Sequence, residues 1–227
     1  MKVQLISYSK TSYSKTAFTG EREREREDTL QDLVAYCARV SNPANQDNKE
    51  TNEKLIHYLI KNNHWSPLEM VSICLEIETT RDIARQILRH RSFSFQEFSQ
   101  RYAVADLGFQ NKEARTQDTK NRQNSIQTDD VELQNAWLEK QNAVNEASSE
   151  AYKWALENGI AKEQARSVLP EGTTLSRLYM NGTLRSWVHY IQLRSGNGTQ
   201  KEHKDVAIAC ANAIHTIFPM INEFISE

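Results

Sequence analysis

Val71, Ile73, Leu75 and Ile77 alternate with Ser72, Cys74, Glu76 and Glu78. That period of two predicts a strand with one buried face, and it is the sharpest periodicity in the chain. Residues 2 to 8 form a shorter strand signal, and Thr174 to Met180 alternates in the same way. Elsewhere the spacing is helical. Asp28 is placed to cap a helix whose apolar face is Leu30, Leu33, Val34, Cys37 and Val40, and Leu55, Ile56, Leu59 and Ile60 mark another that ends near Asn62-Asn63. Helix-forming sequence resumes at about Arg81 and runs into an arginine-rich stretch. From about Val131 to Asn158 a long helix is expected, with Leu133, Trp137, Val144, Ala147, Ala151 and Trp154 on one face and Gly159 as its stop. It would span roughly 40 Å. A short helix precedes Pro170 and two more close the chain. The last has Thr199 and Glu202 in capping-box spacing and Val206, Cys210, Ala213, Ile214 and Ile217 on its buried face.

Residues 105–129 are nearly devoid of large apolar side chains and rich in Asn, Gln, Thr and Lys. They read as a mobile polar loop and not as a linker, so one domain over residues 1–227 is expected. There is no internal repeat. Strands and helices lack the regular alternation of a doubly wound sheet, which favours an α+β fold: a mixed or antiparallel sheet with long helices.

Composition changes this picture in two respects. At 227 residues the chain is long enough for a substantial core, yet only 38% of it is hydrophobic and its mean hydropathy is -0.70. Many helices must be wet on one face, and contacts between subunits are expected to bury part of the rest. The formal net charge of -2 and pI near 6.3 argue against a general nucleic-acid binder. Cys37, Cys74 and Cys210 are an odd set without a CxxC pair, which speaks against disulfides and zinc and for a reducing compartment. The opening apolar run, Val3 to Ile6, is too short for a signal peptide, and no apolar span of about 18 residues follows. A soluble cytoplasmic protein without a membrane segment is expected. The alternating Glu21–Glu27 run reads as a solvated loop or helix start.

The candidate chemistry lies in Arg89-His90-Arg91-Ser92-Phe93-Ser94-Phe95-Gln96-Glu97-Phe98-Ser99-Gln100-Arg101-Tyr102. Arg81, Arg85 and Arg89 recur every four residues, one stripe if all are helical. Guanidinium groups grip phosphate or carboxylate bidentately, and the aromatics offer stacking faces. Arg166, Arg177, Arg185 and Arg194 add to the supply, with Arg185 and His189 neighbours on one helix face. The chain has no GxGxxG, GxxxxGK[ST], HExxH or GxSxG motif, so anions must meet side chains or helix ends. Ser99 has no partners for a triad and reads as the wall of an anion pocket, while the cysteines read as inert core thiols. No metal site is expected, and His64 by itself is a loop-anchoring residue.

These residues resemble the flavin-dependent thymidylate synthases, whose signature is RHR, seven residues and Ser. Here it is Arg89-His90-Arg91 through Ser99, with Glu97, Arg101 and Tyr102 in place. Ala38-Arg39-Val40-Ser41, His64-Trp65-Ser66-Pro67-Leu68-Glu69, Ala165-Arg166-Ser167-Val168-Leu169-Pro170 and the span Leu184-Arg185 to Leu193-Arg194 are similar to the family's other blocks. The resemblance implies the thymidylate synthase-complementing protein fold. It also implies methylation of dUMP to dTMP, with methylenetetrahydrofolate as one-carbon donor, FAD reduced by NADPH as hydride source, tetrahydrofolate as product and no protein nucleophile. It places Ser41, Ser66, Arg89, His90, Arg91, Glu97, Thr183, Arg185 and His189 at FAD positions. Gln86, Arg89, Glu97, Ser99, Gln100, Arg101, Arg166 and Arg194 fall at dUMP positions, with Arg194 the catalytic one, at the N3/O2 edge of the pyrimidine. A homotetramer with active sites between subunits is implied as well. Gln100 stands where Gly is common, Gln96 where Asn is usual, and Asn181 to Arg185 is one residue longer than the common spacing. Two other readings of the same residues stay open: a non-enzymatic nucleotide or single-strand RNA binder, and a flavin-dependent methyltransferase acting on uracil in RNA.

Overall fold

The computed structural model describes residues 1–11 and 28–226. The Glu/Arg run at 21–27 lies outside them. In chain order the strands are β1 (Lys2–Tyr8), β2 (Ser72–Thr80), β3 (Phe93–Glu97), β4 (Arg115–Gln117), β5 (Ser125–Gln127) and β6 (Leu175–Thr183). The helices are α1 (Leu30–Ala38), α2 (Asn52–Lys61), α3 (Arg81–Ile87), α4 (Val131–Glu157), α5 (Lys162–Ala165), α6 (Leu184–Ser195) and α7 (Lys201–His215). A four-stranded sheet has the order β1-β2-β6-β3, and every neighbouring pair is antiparallel. β4 and β5 form a separate antiparallel pair. The α+β expectation holds, and of the two sheet types it allowed, mixed or antiparallel, the sheet is antiparallel. Among the described residues no helix is long and apolar enough to cross a membrane.

The period-two signals land as strands. Ile73, Leu75 and Ile77 of β2 are fully buried beside Leu178 and Met180 of β6, with Leu75 opposite Met180 and Ile77 opposite Leu178. Pairing side by side on the sheet's inner face lets these side chains share one apolar layer. Against it pack Trp187, Val188, Tyr190 and Ile191 of α6 and Val206, Cys210 and Ile214 of α7. Trp187 is wholly buried, and its indole N–H donates to the Ile73 carbonyl at 3.0 Å, so the aromatic carries no unsatisfied donor inward.

Several local expectations are corrected. Thr29, not Asp28, caps α1: its hydroxyl accepts from Asp32 N, and Asp32 returns the bond to Thr29 N. Val40 lies beyond the helix and is exposed. The capping box at the start of α7 does not form, because Thr199 donates to the Leu193 carbonyl and Glu202 is bound by Arg115. The largest correction concerns the arginine stretch. α3 ends at Ile87, so Arg89 and His90 sit in a turn, and Phe93–Glu97 continues as β3 against β6. Alternation of Phe93 and Phe95 with Ser94 and Gln96 carried that strand signal.

The long helix forms with the expected bounds, and Gly159 follows it at φ 74°, a left-handed turn that suits glycine. Its inward face is the surprise. Gln141, Asn145, Ser148, Tyr152 and Ala155 are buried, whereas Trp137, Val144 and Trp154 are 44%, 55% and 59% exposed. The amides explain the reversal. Gln141 accepts from Lys112 N and donates to Lys112 O, both at 2.8 Å, and Gln134 does the same for Ala114 at 2.8 and 3.0 Å. Part of the expected loop at 105–129 is thus hydrogen-bonded to α4 like an added strand, and farther along it carries the β4–β5 hairpin.

Candidate active site

Two of the histidine-bearing motif segments meet at the end of α6. Arg194 Nε donates to His90 Nε2 at 2.9 Å, across 104 residues of sequence. An arginine cannot accept, so His90 must offer a lone pair at Nε2 and carry its proton at Nδ1. Burial, helped by the Arg194 charge, lowers its pKa from 6.5 to about 4. The His90 ring stands edge-on to Tyr190, centroids 4.9 Å apart. Only Nε of Arg194 is taken by this bond, which leaves the two terminal nitrogens to face a planar, electron-rich partner.

Gln86 is tied to the same region. Its Nε2 donates to Gln200 Oε1 at 2.8 Å and its Oε1 lies 3.1 Å from His203 Nδ1, while His203 Nε2 is 3.1 Å from the Tyr190 hydroxyl. His203 is completely buried, and burial, then Arg194 and His90, push its pKa down to about 3. Sequence reasoning missed His203, Tyr190 and Gln200. A signal existed for His203, which precedes Val206 and Cys210 by three and seven residues and so shares the buried face of α7.

A second group brings Ser66, Arg185 and His189 to one surface. The 3-10 turn Ser66–Met70 packs on α6, where Trp65 meets the His189 ring edge-on at 4.4 Å and Glu69 pairs with Arg185. Burial and the adjacent Arg185 lower the His189 pKa. Thr183 caps α6, its hydroxyl accepting from Ser186 N and lying 3.2 Å from Ser186 Oγ. Ser41 is exposed just after α1, whose end is held by the buried Arg39, bonded to Asn48 O at 2.6 Å and Thr51 Oγ1 at 2.9 Å.

Glu97 heads a third group. Arg85 Nη2 reaches both its oxygens at 2.7 and 2.9 Å, Ser176 donates at 2.8 Å, and Arg81 lies at 3.9 Å. Arg81 and Arg85 also pair with Glu171 at 3.4 and 3.2 Å. The stripe imagined for an external anion is therefore broken, its first two members being neutralised by carboxylates of this chain. Arg89 and Arg91 contrast with them: both are exposed and, among the described residues, neither has an ion-pair partner. Unpaired exposed guanidinium groups fit the pyrophosphate of a flavin dinucleotide. A fourth group joins Arg101 and Arg166, which converge on Glu163 through its carboxylate at 2.9 Å and its carbonyl at 3.4 Å. Ser99, two residues before Arg101, is exposed, Gln100 is buried, and Tyr102 is 86% exposed. The foreseen site residues thus fall into four local groups, the first and third joined through the neighbouring Gln86 and Arg85 of α3. Elsewhere, Glu53, His57 and Glu223 gather on the exposed surface, with His57 Nε2 2.8 Å from Glu223.

Comparison with known proteins follows the motif. The family model described as thymidylate synthase complementing protein matches residues 25–220. A probable flavin-dependent thymidylate synthase of Paramecium bursaria Chlorella virus 1 is 50% identical over 193 residues, covering 85% of this chain and 89% of that one. A flavin-dependent thymidylate synthase of Synechocystis is 51% identical over 189 residues, covering 83% and 86%. In structure, the chain is similar to the UMP/dUMP methylase PolB from Streptomyces cacaoi bound with 5-Br dUMP, at a TM-score of 0.79 and 25% identity, covering 98% of this chain and 93% of that one.

Proposed function

This chain belongs to the flavin-dependent thymidylate synthases, and from that premise we propose that it converts dUMP to dTMP with methylenetetrahydrofolate as one-carbon donor, releasing tetrahydrofolate. FAD, recharged by NADPH, supplies the hydride when bound. Arg89 and Arg91 hold its pyrophosphate, and Ser41, Ser66, His90, Glu97, Thr183, Arg185 and His189 complete its site.

The observation that carries the reading is the Arg194–His90 hydrogen bond at 2.9 Å. It sets the one arginine assigned to chemistry against the signature motif and fixes its guanidinium plane. In a mechanism without a protein nucleophile, the uracil ring must be made electron-rich enough to attack through C5. Arg194 does this by donating its terminal N–H groups to the N3/O2 edge, where charge develops, in a partly desolvated setting. Neutral His90 suits the role, since a second cation there would repel the guanidinium. Gln86, Ser99, Gln100, Arg101 and Arg166 bind the nucleotide, with Arg101 and Arg166 meeting its phosphate in exchange for Glu163. The low apolar content of the chain and the exposed apolar residues of α4 support active sites assembled between subunits of a homotetramer.

The test is direct. Purified protein should be yellow and form dTMP from dUMP, methylenetetrahydrofolate and NADPH. Arg194→Ala should keep its flavin and lose turnover by a factor of about 100 or more, the usual cost of one electrostatic donor. Turnover undiminished in Arg194→Ala would remove the residue from the chemistry, and protein that cannot be loaded with FAD would sink the reading as a whole.

A further inference from the structure

Gln86 is committed at both ends of its amide inside the protein, and the direction of that commitment can be traced to a fixed charge. The two ends of a glutamine amide have nearly the same shape, so its partners alone decide which way it points. Glu202 is gripped by Arg115 Nη2 at 2.6 and 2.8 Å. Burial opposes its charge, but the bonds from Arg115 and Gln200 outweigh it and hold the carboxyl pKa below the ordinary value. An ionised carboxylate only accepts, so Gln200 must turn its Nε2 toward it, at 2.9 Å. Gln200 Oε1 is then the end left for Gln86, which must answer with its own Nε2 at 2.8 Å. Gln86 Oε1 consequently faces His203, whose Nδ1 must carry the proton, and His203 Nε2 accepts from the Tyr190 hydroxyl. Each link permits one sense only.

We propose that this polarised chain, Glu202–Gln200–Gln86–His203–Tyr190, exists to hold the Gln86 amide in a single orientation toward the nucleotide, with His203 as the positioning residue. His203 and Tyr190 are 0% and 1% exposed, so neither touches a ligand, and both act through Gln86. Gln86 is itself partly exposed. Its amide keeps one N–H and one carbonyl lone pair unassigned within the chain, and their placement is what the chain fixes. The low proton affinity of His203 agrees with a neutral ring of one tautomer. The proposal rests on the reading that Gln86 meets dUMP.

Two substitutions separate positioning from packing. Asn places an amide nitrogen where imidazole Nδ1 stands, and Gln places one where Nε2 stands. His203→Asn should therefore still donate to Gln86, and His203→Gln should not. With flavin-loaded enzyme, equilibrium dialysis of dUMP should give His203→Asn a Kd within about twofold of the unmodified protein and His203→Gln a Kd raised about tenfold, the scale of one lost neutral hydrogen bond. KM should rise in parallel while kcat changes less and flavin content stays level. In a Gln86→Ala background, His203→Gln should add no further loss. Equal Kd values for the Asn and Gln variants, or losses that add in the double variant, would overturn the proposal. Should His203→Gln fail to fold, Glu202→Gln decides: it removes the charge that sets the sense of the chain, so its Kd should rise, and an unchanged Kd refutes the idea. If the unmodified protein binds flavin and makes no dTMP from dUMP, it is the functional reading that fails instead.

Discussion

His90 of the motif and His203, its neighbour at 6.2 Å between ring centroids, are neutral rings held far from their ordinary protonation, and this has a consequence for stability. Their pKa values fall from 6.5 to about 4 and about 3. As pH drops below 6.5 the unfolded chain takes up protons at these rings while the folded chain resists until about 4. The unfolded state then binds more protons, so stability is lost as pH falls through that window. The urea midpoint should decline between pH 6.5 and 4, and His203→Asn, which removes one of the two titrations, should flatten the decline. An equal slope in the variant would mean that His203 is not buried in neutral form. At this scale much was legible in the sequence. The spacing of Arg89, His90, Arg91 and Ser99 singled out the motif, and Arg194 was named from a segment a hundred residues away. The fate of Arg81 and Arg85 was not legible, because their neutralisation by Glu97 and Glu171 depends on β3 and on the turn before β6 coming back past α3.

Among the elements, β3 and α4 make separate demands. Gly182 lies opposite Phe93 in the β3–β6 pairing, and a Cβ there would stand 2.4 Å from the Phe93 ring. That ring is wedged against Trp187 at 4.9 Å and Tyr190 at 5.9 Å, so it has little room to move. Gly182→Ala should destabilise the protein by about 1–3 kcal/mol, the range for overpacking, read from the urea midpoint; a neutral effect would show the ring to be mobile. For α4 the demand is polar. Gln141→Ala would leave the part-buried Lys112 N–H and C=O without partners. The expected cost is about 2 kcal/mol or more, at about 1–3 kcal/mol per unsatisfied group, with faster proteolysis within residues 105–129. Unchanged stability would mean that water replaces the amide. The bounds of α4 were legible in the sequence and its inward face was not, since apolar periodicity cannot register glutamines that bury themselves by bonding backbone.

Taken as a whole, the chain keeps conspicuous apolar surface. Leu133, Trp137 and Val144 of α4 are all more than two-fifths exposed on a protein of net charge -2. Single exposed apolar residues are ordinary, but a cluster of this size on one helix fits a contact with another copy. The proposed tetramer would have about four times the 26.2 kDa of one chain. The double variant Trp137→Glu/Val144→Glu should stay helical by circular dichroism while its mass in solution falls and its flavin is lost. A variant of unchanged mass would show that α4 faces solvent in the assembly.

The sequence by itself determined the elements with strong periodicity, the α+β class and the motif that marks the family. Those depend on the preferences of side chains taken one at a time and on fixed spacing along the chain. Only the tertiary structure decided which face of α4 turns inward, which arginines stay unpaired, and that Gln86 is oriented through His203 from the Glu202 carboxylate. Each of these is a matter of hydrogen-bond and charge satisfaction between residues far apart in sequence. Such partners have no period, and they become visible only when folding has brought donor and acceptor within about 3 Å.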